Sequence, residues 1–253
     1  FAIEKVEQRS AAVQLRERAT AVASALERRS NANAAYLRAG AALFATLDDV
    51  PPSRFRRFVS ELRLDSDYRG PDGIGWAERV ERSGIADFNV RLAKEYGADV
   101  QMHPALAAGQ TYAVPVGFLE PDSERNRRAL GYDMFSERTR RTAMIEAERT
   151  AQPVASGRVV LMQEGPGKNN GFLIYMPVFE TSQNGARLKG FVYSAVNAQD
   201  FLASALRSES IDDVQVKVYD GRVAPDRLMA SNLPDVRNGT SVTQQVAIAN
   251  HPW

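Results

Sequence analysis

The N-terminal segment constrains the fold more than any other part of the chain. From Phe1 to Ala39 there is neither glycine nor proline, and 14 of the first 47 residues are alanine. Such a composition favours an α-helix on intrinsic propensity alone. At about 1.5 Å per residue, a helix of roughly forty residues is a rod of about 60 Å. We therefore predict a stalk helix over residues 1–49.

The predicted stalk is polar, with a thin apolar stripe between its glutamates and arginines. The stripe consists of Ile3, Val6, Val13, Val22, Leu26 and Leu37. A lone helix this long and polar is poorly stable in water, so it must pack against something. Two compatible arrangements remain open. The helix lies along its own domain, or it also pairs with the same helix of a second copy in a parallel homodimer.

After the stalk, short apolar runs alternate with helical patterns. Pro51-Pro52 ends the long helix, because proline disfavours helix in the preceding residue. Strand-like runs such as Phe172–Phe179 are separated by amphipathic segments, and Asp220-Gly221 is a strong hairpin signal. This pattern occurs about twice along the chain. It predicts an α+β fold with antiparallel strands in two small sheets.

Composition and residue spacing exclude several kinds of function. A net charge of +1 gives no reason to expect a nucleic-acid partner. The absence of cysteine excludes disulfides, thiol catalysis and cysteine-bound metal. His103 and His251 have no neighbouring ligand pattern, so we expect neither a metal site nor a cofactor. The segment Gly165–Gly171 lacks phosphate-loop spacing, and no serine lies in a nucleophile-elbow context, so we expect no catalytic activity.

Five motifs, in one order over about residues 45–250, resemble those of CHASE domains, the extracytoplasmic sensor modules of plant cytokinin receptors and many bacterial membrane receptors. The motifs are Gly73-Ile-Gly-Trp-Ala-Glu-Arg-Val80, Tyr112-Ala-Val-Pro-Val116 with Glu120-Pro121, Asn126-Arg-Arg-Ala-Leu-Gly-Tyr-Asp133, Ile174-Tyr-Met-Pro-Val-Phe179 and Leu188-Lys-Gly-Phe-Val192. The resemblance implies a long stalk helix followed by two tandem PAS-like subdomains. We place a membrane-distal, ligand-binding subdomain at residues 50–170 and a membrane-proximal one at residues 171–253.

The resemblance also implies a function. The chain is expected to be the periplasmic part of an inner-membrane receptor, a histidine kinase or a diguanylate cyclase, that binds a small molecule and relays the signal across the membrane. Both chain ends are expected to continue into that longer, membrane-anchored protein. The alternative is a ligand-free module of the same receptor, which relays dimer geometry or binds a protein partner. A closed apolar cavity next to Asp133 would favour the first, and a core filled by side chains the second.

Asp133 is the main candidate for ligand binding. In receptors of the cytokinin type, the aspartate at this place in the motif accepts hydrogen bonds from the N–H groups of a purine-like ligand, so an adenine-like molecule is one candidate here. The other interpretation is structural, with Asp133 capping the helix that starts near Ser136 or holding the turn at Gly131. Further residues are expected to form the wall of the pocket or simply part of the core. These are Val116, Phe118, Tyr132, Ala155, Met162 and Tyr175.

Overall fold

A computed structural model describes residues 2–47, 49–62, 71–164, 170–182, 185–234 and 239–253. The α-helices are α1 (Ala2–Thr46), α2 (Pro52–Glu61), α3 (Ile85–Tyr96), α4 (Glu124–Arg127), α5 (Arg138–Thr150) and α6 (Ala198–Ser208). The strands are β1 (Pro71–Glu78), β2 (Val80–Glu81), β3 (Tyr112–Ala113), β4 (Val116–Glu120), β5 (Val154–Ala155), β6 (Val159–Val160), β7 (Asn170–Ser182), β8 (Gly185–Asn197), β9 (Lys217–Tyr219), β10 (Leu228–Ser231), β11 (Ala247–Ile248) and β12 (His251–Pro252). Most of the loop predicted at Gly165–Gly171 lies outside the described residues.

The predicted stalk helix is confirmed as α1, and its second half packs along its own domain. Val22, Leu26 and Leu37 of the apolar stripe are buried, whereas Val13 is 53% exposed. The side chains of Ile3 and Val6 lie outside the described part. The arrangement in which the helix lies along its own domain is thus the one present in the chain, and the homodimer stays a prediction.

The C-terminal end of α1 is fixed by a cation. The Nζ atom of Lys189, in β8, donates to the carbonyl oxygens of Phe44 at 3.1 Å and Leu47 at 2.9 Å. The last carbonyls of a helix have no intrahelical donor and carry a partial negative charge, so an ammonium group there both satisfies and neutralises them. The end of α1 is therefore tied directly to the sheet.

Within the described residues, six antiparallel strands form one main sheet. Its order is β4-β1-β8-β7-β5, and β6 also pairs with β7. The long hairpin of β7 and β8 occupies the centre, with Tyr175 opposite Tyr193. β1 pairs with β8 on one side and with β4 on the other. The main sheet thus takes strands from both sides of residue 170, where the sequence predicts a subdomain boundary.

The two faces of the main sheet pack against different helices. Side chains of successive strand residues point to opposite faces. On the first, the α1 face, Ile174 and Val192 belong to the same apolar core as the stalk, and Phe44 of α1 stacks on Trp76 with ring centroids 4.0 Å apart. On the second, the α5 face, Tyr193 and Leu173 pack in the core that contains Met144 of α5.

The chain after β8 is smaller and less regular. α6 packs against α1 and β10, and β9 pairs with β10. The alternation of Val214, Val216 and Val218 in the sequence predicts a strand, and the ladder that forms begins only at Lys217. The side-chain amide of Asn232 accepts from the Val216 N–H at 2.7 Å and donates to the Val214 carbonyl at 2.9 Å. An asparagine side chain thus satisfies backbone groups that a longer strand would pair.

Candidate functional site

Asp133 is buried beside the α5 face and hydrogen-bonded within the chain. It is 1% exposed. Its Oδ1 atom accepts from the N–H of Val114 at 2.8 Å and of Phe135 at 3.0 Å, and its Oδ2 atom accepts from the side-chain amide of Gln110 at 3.2 Å. The bond to Phe135 makes Asp133 the N-cap of the short 3-10 helix Met134–Ser136. In the structural interpretation, Asp133 therefore acts as the cap of this 3-10 helix.

The partners of Asp133 differ in how easily they can be exchanged. Two are backbone N–H groups, fixed by the pairing of Pro115 with Asp133 and by the turn that follows. The third is the side chain of Gln110, which also donates to the carbonyl of Tyr112 at 2.8 Å. A side-chain donor can rotate away without moving the backbone. Gln110 is thus the exchangeable partner of the carboxylate.

Arg140 is a buried cation on the inner side of α5. It is 4% exposed, and its Nη2 atom donates to the carbonyl of Val160 at 2.7 Å. Its Nη1 atom reaches Glu137 at 3.4 Å, and its guanidinium carbon lies 5.3 Å from the centre of the Tyr132 ring. Burying a guanidinium is costly unless its donors are matched. Arg140 therefore favours acceptor groups in its surroundings.

Two tyrosine hydroxyls add further buried donors on the α5 face. The Tyr175 hydroxyl lies 3.5 Å from the sulfur of Met134, a weak acceptor, and the Tyr193 hydroxyl has no hydrogen-bond partner among the described residues. Burial raises the pKa of both hydroxyls above the ordinary value, so both stay protonated. The Tyr193 ring requires glycine at position 75, where a Cβ atom would lie 2.6 Å from it.

The structure brings most of the predicted site residues together and separates two of them. Phe118 and Ala155 belong to the core on the α1 face, on the opposite side of the main sheet. The predicted residues that belong to the core on the α5 face are Val116, Tyr132, Met162 and Tyr175.

Sequence reasoning missed three polar residues of this face: Gln110, Arg140 and Tyr193. For Arg140 a signal was present, because it stands three and four residues before Ala143 and Met144, on the helix stripe that is buried. For Tyr193 the spacing of strand residues identifies a shared face with Tyr175 only once the pairing of β7 and β8 is known. Gln110 lies in a loop, where periodicity carries no information.

Two clefts lie elsewhere on the molecule. One, of about 610 Å³, is lined by the end of α1, by α3 and by Trp76. The other, of about 810 Å³, lies between α1 and the chain after α6. We call the second one the stalk cleft. Its apolar lining includes Leu15, Val22, Leu26, Val216, Val246 and Trp253. Asp133 lines neither of these two clefts.

Across the described ranges, no group of three or more histidine, aspartate or glutamate side chains is placed to hold a metal ion. In the same part of the chain, no helix combines the length and the apolar character that crossing a membrane requires.

A family comparison agrees with the motifs and the architecture. A model of the family described as "CHASE domain" matches residues 48–229, well over half of the chain. The chain belongs to the CHASE domain family. CHASE domains are sensory and non-catalytic, so this chain is an extracytoplasmic sensor domain and not an enzyme. No curated protein matches the chain.

Solved structures similar to this CHASE domain are receptor domains of low sequence identity. An extracellular ligand binding receptor from Desulfohalobium retbaense is 17% identical with a TM-score of 0.51, over 82% of this chain and 30% of that one. The ligand binding domain of the Pseudomonas aeruginosa amino acid chemoreceptor PctC, in complex with GABA, is 15% identical with a TM-score of 0.44, over 82% and 71%. The Vibrio cholerae LuxQ periplasmic domain is 12% identical with a TM-score of 0.41, over 92% of both chains. The first similarity supports the fold; the other two are too distant to carry an argument.

Proposed function

We propose that this CHASE domain is the ligand-binding sensor of a bacterial transmembrane receptor, with a histidine kinase or diguanylate cyclase as its output. The observation that carries the ligand site is the group of buried polar side chains on the α5 face. Asp133 supplies an acceptor and Arg140 a cation, both of them hydrogen-bonded within the chain, and the Tyr193 hydroxyl supplies a donor with no partner among the described residues. Convergent buried polar groups in apolar surroundings are typical of small-molecule sites.

A small ligand would enter between the main sheet and α5. Its N–H group would displace the Gln110 amide from Oδ2 of Asp133, a bond that is 3.2 Å long. Its acceptor atoms would face Arg140 and Tyr193. A purine carries both kinds of group, which keeps an adenine-like molecule among the candidates. The wall residues in this proposal are Val116, Tyr132, Met162 and Tyr175, which pack on this face.

The test is a thermal-shift screen of the isolated chain with purines, amino acids and small carboxylic acids. A ligand at 100 times its Kd stabilises the folded state by about 2.7 kcal/mol. Any ligand found should lose its effect in Asp133→Asn and keep it in Asp122→Asn, a change in an exposed ion pair with Arg127. Circular dichroism of Asp133→Asn establishes that the variant is folded. A folded variant that still binds contradicts the proposed site.

One observation favours a second function, that of a ligand-free relay module. The Asp133 carboxylate already accepts three internal hydrogen bonds, which is the filled core expected of a relay module. In that case no small molecule stabilises the chain, and Asp133→Asn lowers the stability without changing any binding. The screen and the variant together separate the two functions.

We also propose that the receptor dimerises through the solvent-facing side of α1. Ala35, Ala39 and Ala42 are exposed and share one side of the helix, while Val22 is buried against its own domain. Single cysteines at Ala35 or Ala39 should therefore cross-link in membranes, and a cysteine at Val22 should not. Cross-linking at all three positions alike would argue against a helix-paired dimer.

The subdomain limits are part of the same proposal. Residues 1–49 form the stalk, and we now place the boundary between the distal and proximal subdomains after residue 197 instead of residue 170. The support is that β8 pairs with both β1 and β7 in the main sheet. Limited proteolysis tests this: cleavage between residues 198 and 217 should release a folded distal piece, and cleavage near residue 170 should not.

A further inference from the structure

The stalk cleft has the size and the lining of a small-molecule site. Its volume of about 810 Å³ falls within the range of roughly 300–1,000 Å³ that ligand pockets occupy. One wall is the apolar side of α1, with Val22 and Leu26. The other wall is the segment around β9 and β11, with Val216 and Val246. The cleft is on the other side of the main sheet from Asp133.

A buried donor without an acceptor belongs to the lining of the stalk cleft. Trp253 is 7% exposed, and its ring is held edge-on by Phe172 at 4.5 Å and Phe201 at 6.1 Å between centroids. Its backbone pairs with Val246 in both directions. Its indole N–H has no hydrogen-bond partner in the part of the chain that the structure describes. The indole nitrogen can only donate, so this N–H remains without an acceptor inside the described part of the fold.

The charges around the stalk cleft are mainly positive. Arg18, Lys217 and Arg222 line it, and the acidic residue of the lining is Asp213, which forms an ion pair with Arg18. Arg222 also approaches Asp226 at 3.9 Å. Cationic side chains above an apolar floor match a molecule that has an apolar body and a negative group.

We propose that the stalk cleft binds a small amphiphilic anion, an apolar molecule bearing a carboxylate or a similar acidic group. The apolar body would contact Val22, Leu26 and Val216, and the acidic group would face the cationic rim. This site is separate from the one proposed at Asp133. Either can fail without the other, because their residues lie on opposite faces of the main sheet.

Binding here would act on the stalk directly. The cleft lies between the first half of α1 and residues 213–223 and 239–246, and its two sides are connected by the Arg18–Asp213 ion pair and by a hydrogen bond of 3.2 Å from Thr20 to Gln244. A ligand between the two sides favours one spacing of the stalk relative to these two segments. Such a ligand shifts the equilibrium between receptor conformations by the difference in its binding free energy for the two spacings.

The experiment is calorimetric titration of the 253-residue chain with sodium decanoate, below its micellar concentration, and with the uncharged analogue decanol. Decanoate should bind at one site and more tightly than decanol. Ala19→Phe fills the cleft from the α1 wall and should weaken binding by about tenfold or more. Ala11→Phe, at an exposed position of the same helix, should leave binding unchanged.

Two charge variants test the proposed anion binding without altering the apolar core. Arg18→Gln and Asp213→Asn both break the same ion pair, so a purely structural effect would change binding in the same direction. Arg18→Gln should weaken decanoate binding, by roughly threefold or more, and Asp213→Asn should strengthen it, because only the first removes a positive charge. Any one of four results would overturn the proposal. They are no binding of decanoate, equal binding of decanol, an unchanged affinity in Ala19→Phe, and the same direction of change in both charge variants.

Discussion

The two faces of the main sheet bury side chains of different chemistry. The α1 face is packed with aliphatic and aromatic groups, and its buried serine in β8, Ser194, donates to Asn33 of the stalk at 2.8 Å. The α5 face buries the carboxylate of Asp133, the guanidinium of Arg140 and the hydroxyl of Tyr193, the last without a partner among the described residues. The α1 face is thus mainly apolar, whereas the α5 face also buries a carboxylate, a guanidinium and a tyrosine hydroxyl that is unmatched within the described part of the chain.

This difference indicates separate roles for the two faces, attachment of the stalk for one and binding for the other. Aliphatic and aromatic packing, with the hydrogen bond from Ser194 to Asn33, attaches the stalk to the α1 face. Unmatched polar groups lower stability, and proteins keep them where they serve binding. We therefore expect substitutions on the α1 face to cost stability, and substitutions of the polar groups on the α5 face to cost binding.

The largest expected loss of stability is on the α1 face. Phe44→Ala removes a buried ring that stacks on Trp76 at 4.0 Å and tilts against Phe55 at 5.6 Å. It should lower the free energy of unfolding by about 3–5 kcal/mol. Urea denaturation measures the change, and Ala45→Gly, an exposed position of the same helix, is the control at about 1 kcal/mol. If Phe44→Ala and Ala45→Gly lowered the free energy of unfolding by similar amounts, the Phe44 ring would contribute nothing beyond helix propensity.

A smaller loss is expected from the cation at the end of the stalk. Lys189→Met keeps the length of the side chain but removes both donors to the carbonyls of Phe44 and Leu47. We expect a loss of about 1–3 kcal/mol in the free energy of unfolding, because hydrogen bonds from charged groups are among the stronger ones. Lys94→Met, an exposed residue of α3, should change it by less than about 0.5 kcal/mol. An unchanged Lys189→Met variant would show that the contact is not needed.

The third prediction concerns pH and the contact between the two halves of the chain. Asp220 accepts from His251 at 2.7 Å and from the N–H of Arg158 at 3.0 Å, and these bonds, with the charge of Arg227, lower the pKa of the Asp220 carboxyl. A lowered folded-state pKa contributes stability above the unfolded-state pKa of about 3.9, and that contribution is lost as the pH falls through the folded-state value.

Asp220→Asn should therefore cost about 1–3 kcal/mol at pH 7 and less as the pH falls below about 3.9. Urea denaturation of both proteins across this range gives the difference in unfolding free energy. Asp226→Asn, in the exposed turn next to Arg227, is the matched control and should cost less at pH 7, because this carboxylate is exposed. A cost for Asp220→Asn that stays constant with pH would contradict the linkage.

The smallest expected effect on stability is on the α5 face. Tyr193→Phe removes a buried hydroxyl that has no partner among the described residues, while the ring that packs over Gly75 remains. The free energy of unfolding should rise or stay within about 1 kcal/mol of its value. A loss well above that would mean that the hydroxyl is matched in solution and that the contrast between the faces is weaker.

The sequence predicts the helices and strands of this fold better than it predicts the face of the main sheet on which each side chain lies. The absence of glycine and proline identifies α1, and the motif at Gly73-Ile-Gly-Trp76 identifies β1, because those signals are local. The side of the sheet on which Phe118 and Ala155 lie depends on strand pairing, which the motifs do not encode. Arg140 was not anticipated because arginine is usually exposed. Its burial follows from the packing of α5 on the sheet, a tertiary effect.

The most direct test compares ligand binding in variants of the two faces. With a stabilising ligand from the screen, the shift in Tm would be measured for the original chain, for Asp133→Asn on the α5 side and for Val192→Ala on the α1 face, where Val192 is fully buried. We predict that Asp133→Asn abolishes the shift, and that Val192→Ala lowers the starting Tm but keeps the full shift. A shift that survives in folded Asp133→Asn, or that disappears in Val192→Ala, would contradict the assignment of sensing to the α5 face.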